Sequence, residues 1–402
     1  MFKVLNGSEE ITFDDITRFY DWLLKNKDLD NLVVQNKEAL DLYNFFKFYL
    51  LVKKQFELEI IKTNNNFIDN ADNDIVKTSI NELIRMNSDG KYLRAMLIAL
   101  GYLIKNNNDD YLALAMAYET FQTAILIHDD IIDNASIRRG KETIPELYKQ
   151  RLEGLGDNSN SFNIKKEHIS NSMGICVGDL GFYLANKIII DNYSNSPALC
   201  KVLSLYNKIV INTIKGEIID VLLPFCEQYK KGISTEENVI EIYKLKTAWY
   251  TIIGPFSLGM TLADFTDEQI KEMEDILYNL GIAFQIKDDI LGVFGNEVEL
   301  GKSSSSDISE FKQTILYTYV SKNNKDKLVE LSKYYGKHNL TEEDLNSVKQ
   351  IFISTGALEY ANNVMNKMFL ESKQKLGKID FIPEDKKSIL EGFIIYLNLR
   401  NK

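Results

Sequence analysis

Proline is scarce in this chain: Pro145, Pro197, Pro224, Pro255 and Pro383 are the only five among 402 residues. An interior proline removes a hydrogen bond and collides with the preceding turn, so few prolines leave room for long helices. Period-two alternation bounded by hairpin turns is also rare, which argues against a β-sandwich or barrel. Cysteine is limited to Cys176, Cys200 and Cys226, with no C-x-x-C pair. That excludes a disulfide framework and a thiolate zinc site. The three read as small buried hydrophobes in a reducing cytoplasm. Basic residues are in deficit, 47 Lys and Arg against 58 Asp and Glu, for a net charge of −11. Non-specific nucleic-acid binding needs the opposite balance. No apolar run reaches the roughly 18 uncharged residues of a membrane span. The acidic start, MFKVLNGSEEITFDD, resembles neither a signal peptide nor a transit peptide.

What the chain has is helical periodicity. Thr266-Asp-Glu-Gln269 reads as a capping box, and Thr235 and Thr341 mark two further helix starts. Tyr111 to Asp130 is apolar nearly all round, as in a helix covered on most sides. Gly154 to Lys166 and Gly301 to Ser306 read as polar loops. A helix-like block, Leu42 to Ile61, precedes the polar TNNNFIDNADND. These patterns predict an all-α protein with a helical extension over residues 1–75 and a main domain over residues 76–402.

Asp129-Asp130-Ile-Ile-Asp133 ends the apolar segment AILIH. Asp129 and Asp133 share one helix face, separated by about 6 Å of rise. Paired carboxylates suit Mg²⁺, which takes one or two of them and fills its shell with water and phosphate oxygens. Asp288-Asp289 ends a second apolar segment, IAFQIK. Two acidic pairs at matching ends of buried helices can face each other across a cavity. Such a cavity would bind a magnesium diphosphate carrying a hydrocarbon tail. Basic residues complete the pattern: Lys91 and Arg94 three apart, then Arg138-Arg139-Gly140-Lys141, Lys246, Lys302 and Lys312. They suggest a second phosphate group, bound without metal.

Taken together, these segments resemble the trans-isoprenyl diphosphate synthase family. LIHDDIIDNASIRRGKET is similar to its first aspartate-rich region and FQIKDDILGVFGNEVELGK to its second. GKYLR, GDL at Gly178–Leu180, Gly216-Glu217 and LKTAWYT follow in the family's order, and the likeness runs from about Asp89 to Leu316. Three departures stand out. Gly292 occupies the place where many members carry a third acid, Ala95 replaces a common proline, and SSSS precedes Asp307.

The resemblance implies an isoprenoid synthase-type helical bundle around a deep cavity, a Mg²⁺ cofactor and a homodimer. It implies isopentenyl diphosphate and an allylic diphosphate as substrates. Asp129, Asp133 and Asp288 would hold the metal, and Asp130 and Asp289 would order its waters. Arg138, Lys246 and Lys302 would hold the allylic phosphates, Lys91, Arg94, Gln122 and Arg139 the isopentenyl diphosphate, and Lys312 is a further substrate-binding candidate. Thr247, Gln285 and the Lys246 carbonyl would face the allylic cation. His128, His168 and His338 are left structural roles. A class I terpene cyclase shares the fold, but its usual second acidic element is absent and it needs no second-diphosphate set. A non-catalytic partner subunit would be expected to lose an acidic motif. Farnesyl-producing members often place an aromatic four or five residues before the first Asp, where this chain has Ile125 and Ala124. The next bulky residue is Phe121, so geranylgeranyl diphosphate is the expected product. Ordinary core packing accounts for these residues equally well.

Overall fold

Because proline is rare, helices run long, and the five prolines sit where helices tolerate them. The computed structural model describes residues 1–7, 9–26, 29, 32–69, 73–88, 90–154, 165–225, 235–295, 306–337 and 339–400. Pro145 and Pro255 occupy the first turns of their helices and Pro383 directly precedes one. A first-turn proline gives up a backbone N–H that would have no helical partner anyway.

The chain starts with a small sheet. Strand β1 (Phe2–Asn6) pairs antiparallel with β2 (Glu9–Phe13) and with β3 (Leu32–Val34). Helix α1 (Ile16–Lys25) covers it, setting Phe19 against Phe2 and Phe13. The helical extension expected over residues 1–75 therefore opens on three strands, each too short for its alternation to stand out in the sequence. Helix α2 (Lys37–Asp69) continues through the polar stretch after Ile61, where Asn64 is buried and Phe67 packs on the core. Helix α3 (Asp74–Asn87) follows.

The body of the bundle comprises α4 (Leu93–Leu103), α5 (Leu112–Ile132), α6 (Ile144–Glu153), α7 (Lys166–Tyr193) and α8 (Leu199–Leu222). It continues with α9 (Glu236–Ile242), a π-helical segment (Tyr243–Ile253), α10 (Gly254–Leu262) and α11 (Asp267–Phe294). The helix read at Tyr111–Asp130 as covered on most sides is so: most of α5 is inaccessible to solvent. It lies along α7, and α4 lies along α10. Helix α7 is long and apolar enough to cross a membrane by length and composition alone. Here Val177, Gly181, Ala185 and Ile188 of α7 are buried instead in the bundle. Thr266 forms the expected capping box, and Thr235 and Thr341, expected as helix starts, form capping boxes too. Each cap is worth about 1 kcal/mol. The loop expected from Gly154 to Lys166 ends at Lys166, the first residue of α7, and its residues 155–164 lie outside the described residues. The cysteine reading needs correction. Cys176 and Cys200 are exposed, on helix faces turned away from the core, and Cys226 lies outside the described residues.

Short elements β4 (Ile137–Arg138) and β5 (Lys141–Glu142) form a tight hairpin after α5. Its two central residues, Arg139 and Gly140, both have positive φ, 54° and 74°. That is the backbone a two-residue hairpin turn requires, and Gly140 meets it without strain. After α11 come α12 (Ser306–Ser309), α13 (Ile315–Asn323), α14 (Lys325–Leu331), α15 (Glu342–Ser354), α16 (Ala357–Leu376) and α17 (Glu384–Leu399).

Helix α17 returns to pack along α2, so the bundle closes on its own N-terminal part. Asp41 of α2 is 2% exposed and accepts a 2.6 Å hydrogen bond from Ser388. Its Oδ2 has no hydrogen-bond partner among the described residues. Burial, with Glu391 nearby, pushes the Asp41 carboxyl up to about 6. An acid whose native pKa is raised holds its proton more tightly when folded. Its contribution is therefore present at low pH and lost as pH rises through about 6. Asp41→Asn keeps the Ser388 contact without a charge. We expect it to stabilise the protein by about 1 kcal/mol at pH 8 and by much less at about pH 4, near the unfolded value of the acid. Thermal melts of both proteins at the two pH values check this, and an equal gain at both would contradict it.

Candidate active site

A cavity of about 910 Å³ opens between α5, α7, α8, the π-helical segment and α11. It has an acidic mouth and an apolar floor. Asp129 at the end of α5 and Asp288 and Asp289 near the end of α11 line it together. The two acidic motifs thus meet across one space.

Most carboxylates at the mouth have a basic partner; Asp289 is held instead by Tyr243 and Gln285. Lys246 Nζ lies 2.6 Å from Asp220, 2.7 Å from Glu217 and 4.0 Å from Asp129. Lys312 Nζ lies 2.6 Å from Glu310, 3.7 Å from Asp307 and 4.0 Å from Asp133. Arg138 donates 3.0 Å to Asp129 and through its Nε to Asp130. Arg400, just beyond α17, donates 2.6 Å to Asp288 and 3.0 Å to the Phe284 carbonyl. The named carboxyl groups outnumber the named basic ones, so the mouth favours added positive charge.

Charge states differ among these acids for identifiable reasons. Burial would raise the Asp129 carboxyl, but Lys246, Arg138 and Lys312 outweigh it and hold the group below the usual range. Burial pushes Asp133 up to about 7, with Lys312 only partly offsetting it. Asp130 is raised to about 6 by burial despite Arg138. Asp289 is raised to about 8, again by burial, although Tyr243 and Gln285 donate to it. Lys246 and Lys312 are held charged by their surrounding carboxylates, against the pull of burial.

The π-helical segment sets much of this geometry. π-helical turns are found frequently at functional sites. Here Tyr243, Thr247 and Thr251 recur every fourth residue on the cavity side, joined by Lys246 and Tyr250. The segment sits close to α8 because of Gly216, where a Cβ would come within 2.4 Å of the Lys246 backbone nitrogen. Its side chains then run into α11. Thr247 donates 2.5 Å to Gln285, and Gln285 donates 2.8 Å to Asp289. Tyr243 donates to the other Asp289 oxygen and accepts 2.9 Å from the Ile315 N–H.

The floor is aromatic. Phe121, expected from the sequence as the next wall, lies behind the lining rather than in it: it is fully buried, its ring 5.4–5.7 Å from those of Tyr118, Phe182, Tyr206 and Tyr250. Phe182, Tyr250 and Ile125 line the cavity. Ala124 does not: it faces α7, where a Cβ on Gly181 would lie 2.9 Å from the Ala124 Cβ.

The other residues singled out from the sequence fall into two groups. Arg94, Lys246, Thr247, Gln285 and Lys312 line the cavity with the acids. Arg94 stacks 4.1 Å over Tyr250 and donates 2.9 Å to Thr251. Lys91, Gln122 and Arg139 lie off the main cavity, on neighbouring segments. Arg139 reaches back toward Gly90, where a Cβ would sit 3.4 Å from its guanidinium. Lys302 lies outside the described residues, as do His338 and residues 301–305. His128 approaches the Ile175 carbonyl at 3.3 Å and Asp179 at 3.4 Å, joining α5 to α7.

Sequence reasoning passed over Asp220, Tyr243, Glu310 and Arg400, and noted Asp307 only as a landmark without a role in the site. Asp220 was detectable, standing one turn beyond Glu217 on α8. Tyr243 was hidden by the π-helical register, and Arg400 is isolated from every motif. The Gly292 departure has a spatial explanation. A Cβ there would lie 2.5 Å from the Asp307 carboxylate, so Asp307 fills the space a third acid would need.

The donors at the mouth are all oxygens, which suits a hard divalent cation. Among the described residues no three acids, histidines or cysteines converge closely enough to cage a metal by themselves. A site that relies on one or two carboxylates with water and ligand phosphates meets that arrangement.

Comparison with known proteins agrees. The chain is 28% identical over 330 residues to a geranylgeranyl diphosphate synthase of Sulfolobus acidocaldarius, covering 78% of this chain and 91% of that protein. It is 30% identical over 284 residues to a geranylgeranyl diphosphate synthase of Saccharolobus solfataricus, covering 69% and 76%. The crystal structure of geranylgeranyl pyrophosphate synthase from Corynebacterium glutamicum, complexed with isoprenyl diphosphate and magnesium, superposes with a TM-score of 0.75 at 25% identity. That match covers 87% of this chain and 98% of the other. The polyprenyl synthetase family pattern matches residues 74–352. This chain, an all-α protein with acids at the ends of two buried helices, belongs to the polyprenyl synthetase family.

Proposed function

We propose that this protein is a trans-prenyltransferase that condenses isopentenyl diphosphate with an allylic diphosphate, giving geranylgeranyl diphosphate. The observation that carries the reading is the facing of the Asp129 and Asp288 ends of α5 and α11 above an apolar floor. A diphosphate head with a hydrocarbon tail matches that polarity. Asp129, Asp133 and Asp288 would hold Mg²⁺, with Asp130 and Asp289 behind them. When bound, Mg²⁺ neutralises charge on the leaving diphosphate.

The chain's own groups supply the rest. Lys246, Lys312, Arg138 and Lys302 bind the allylic phosphate oxygens and favour departure of diphosphate with the bonding electrons. Lys91, Arg94, Gln122 and Arg139 hold the second diphosphate and bring its double bond to the allylic carbon. Proximity then does the work a nucleophilic side chain does elsewhere. Thr247, Gln285 and the Lys246 carbonyl face the allylic cation, and the hydrogen bonds through Gln285 to Asp289 keep two of them in place. The new carbon–carbon bond leaves charge on the adduct, which loses a proton to the released diphosphate. A homodimer belongs to the same reading. Ile211 and Leu222 of α8 and Ile175 of α7 are exposed apolar residues that a partner could cover, whereas exposed Tyr183, Ile214 and Ile218 line the cavity.

Three measurements test the reading. Asp129→Ala and Asp288→Ala should each lower kcat/KM by about 10²–10³-fold in a magnesium-dependent assay. Near-normal turnover in either variant would refute the assignment. Lys91→Ala should raise KM for isopentenyl diphosphate well above any change in KM for the allylic substrate, and equal changes would argue against two sites. For chain length the informative position is Ile125, which lines the cavity, rather than Ala124, which faces Gly181. Ile125→Phe should shift the product toward farnesyl diphosphate, as read by chromatography of dephosphorylated products. An unchanged distribution would place the limiting wall elsewhere.

A further inference from the structure

The segment that carries Lys91 and Arg94 is held in an unusual shape by a helix that precedes the family-matched residues 74–352. Tyr92, between the two basic residues, caps α4 with φ 51° and ψ 35° and makes no side-chain capping bond. A non-glycine residue in that left-handed region persists only where its surroundings enforce it. The backbone turn at Tyr92 also sets the direction of Lys91 relative to Arg94.

Two side chains of α2 enforce it. Tyr49 Oη donates a 2.7 Å hydrogen bond to the Lys91 carbonyl. Phe56 packs its ring 4.8 Å from that of Tyr92. Tyr49 and Phe56 are seven residues apart, two helical turns, and so share one face. Burial pushes the Tyr49 hydroxyl up, so it stays protonated and available as a donor. Its ring stacks on Phe45 at 6.1 Å, and Phe45 in turn packs on Phe393 and Tyr396 of α17. On the far side of the turn, Gly90 leaves the space that the Tyr92 ring and the Arg139 guanidinium share.

We propose that Tyr49 is a positioning residue for the second diphosphate site: its hydroxyl fixes the left-handed Tyr92 turn that presents Lys91 beside Arg94 and Arg139. This rests on the assignment of those three basic residues to isopentenyl diphosphate. Tyr49 touches no substrate and acts through the Lys91 backbone.

The test is Tyr49→Phe in the full chain, which removes one oxygen and keeps the ring stack. Losing one hydrogen bond that orients a charged group should raise KM for isopentenyl diphosphate about fivefold. The KM for the allylic substrate and kcat should stay within about twofold, and backbone hydrogen exchange across residues 88–95 should quicken. A purely structural role would instead move both KM values and kcat together with a fall in Tm, and that result overturns the proposal. So does an unchanged KM with unchanged exchange. Lys91→Ala, run alongside, separates the two levels of the argument. If it raises KM for isopentenyl diphosphate and Tyr49→Phe does not, the role of Tyr49 fails alone. If Lys91→Ala has no effect on that KM, the site assignment fails and this role falls with it.

Discussion

Mutual repulsion among carboxylates is the constraint around which this molecule is organised. Asp129, Asp130 and Asp133 end one buried helix, Asp288 and Asp289 lie near the end of another, and Glu217, Asp220, Asp307 and Glu310 crowd the same mouth. Like charges at such spacing cannot all ionise without compensation. Lys246 and Lys312 each serve three acids, while Arg138 and Arg400 serve others. Burial adds to the repulsion at Asp133 and Asp289, whose carboxyls it raises to about 7 and about 8. The mouth therefore holds its cations in reserve for a ligand that brings both divalent metal and phosphate.

This arrangement depends on close helix packing. Small residues at Gly216 and Gly181 let the π-helical segment approach α8 and let α5 lie against α7. The π-helical register then puts Lys246 and Thr247 on the same side as Tyr243, so cation, hydroxyl and phenol all reach the carboxylates from one short element. Polar precision at the mouth thus follows from apolar and backbone contacts well below it.

Much of this was legible in the sequence because its signals are local. Spacing of four put Asp129 and Asp133 on one face, capping threonines marked three helix starts, and apolar α5 declared itself buried. The order of short motifs placed both acidic ends together. What stayed hidden depends on contacts distant in sequence or on register. Ala124 and Ile125 look equivalent along the chain, yet one meets Gly181 and the other the cavity. Arg400 lies 112 residues from its Asp288 partner, so no local pattern predicts it. The first sheet escaped notice because its longest strands have five residues. The exposed cysteines show that a small apolar residue need not be inside when a helix has a spare outer face.

The clasp between α2 and α17 also has a consequence for biosynthesis. Asp41 and Ser388 are separated by 347 residues, so α2 emerges from a ribosome long before the helix that covers it exists. At ordinary elongation rates of about 5–20 residues per second, that interval is roughly 20–70 s. Throughout it, the face of α2 that carries Phe45 lacks its native cover of Phe393 and Tyr396. Closure of the bundle must therefore wait for α17, and until then the nascent chain carries an apolar helix face without its native cover.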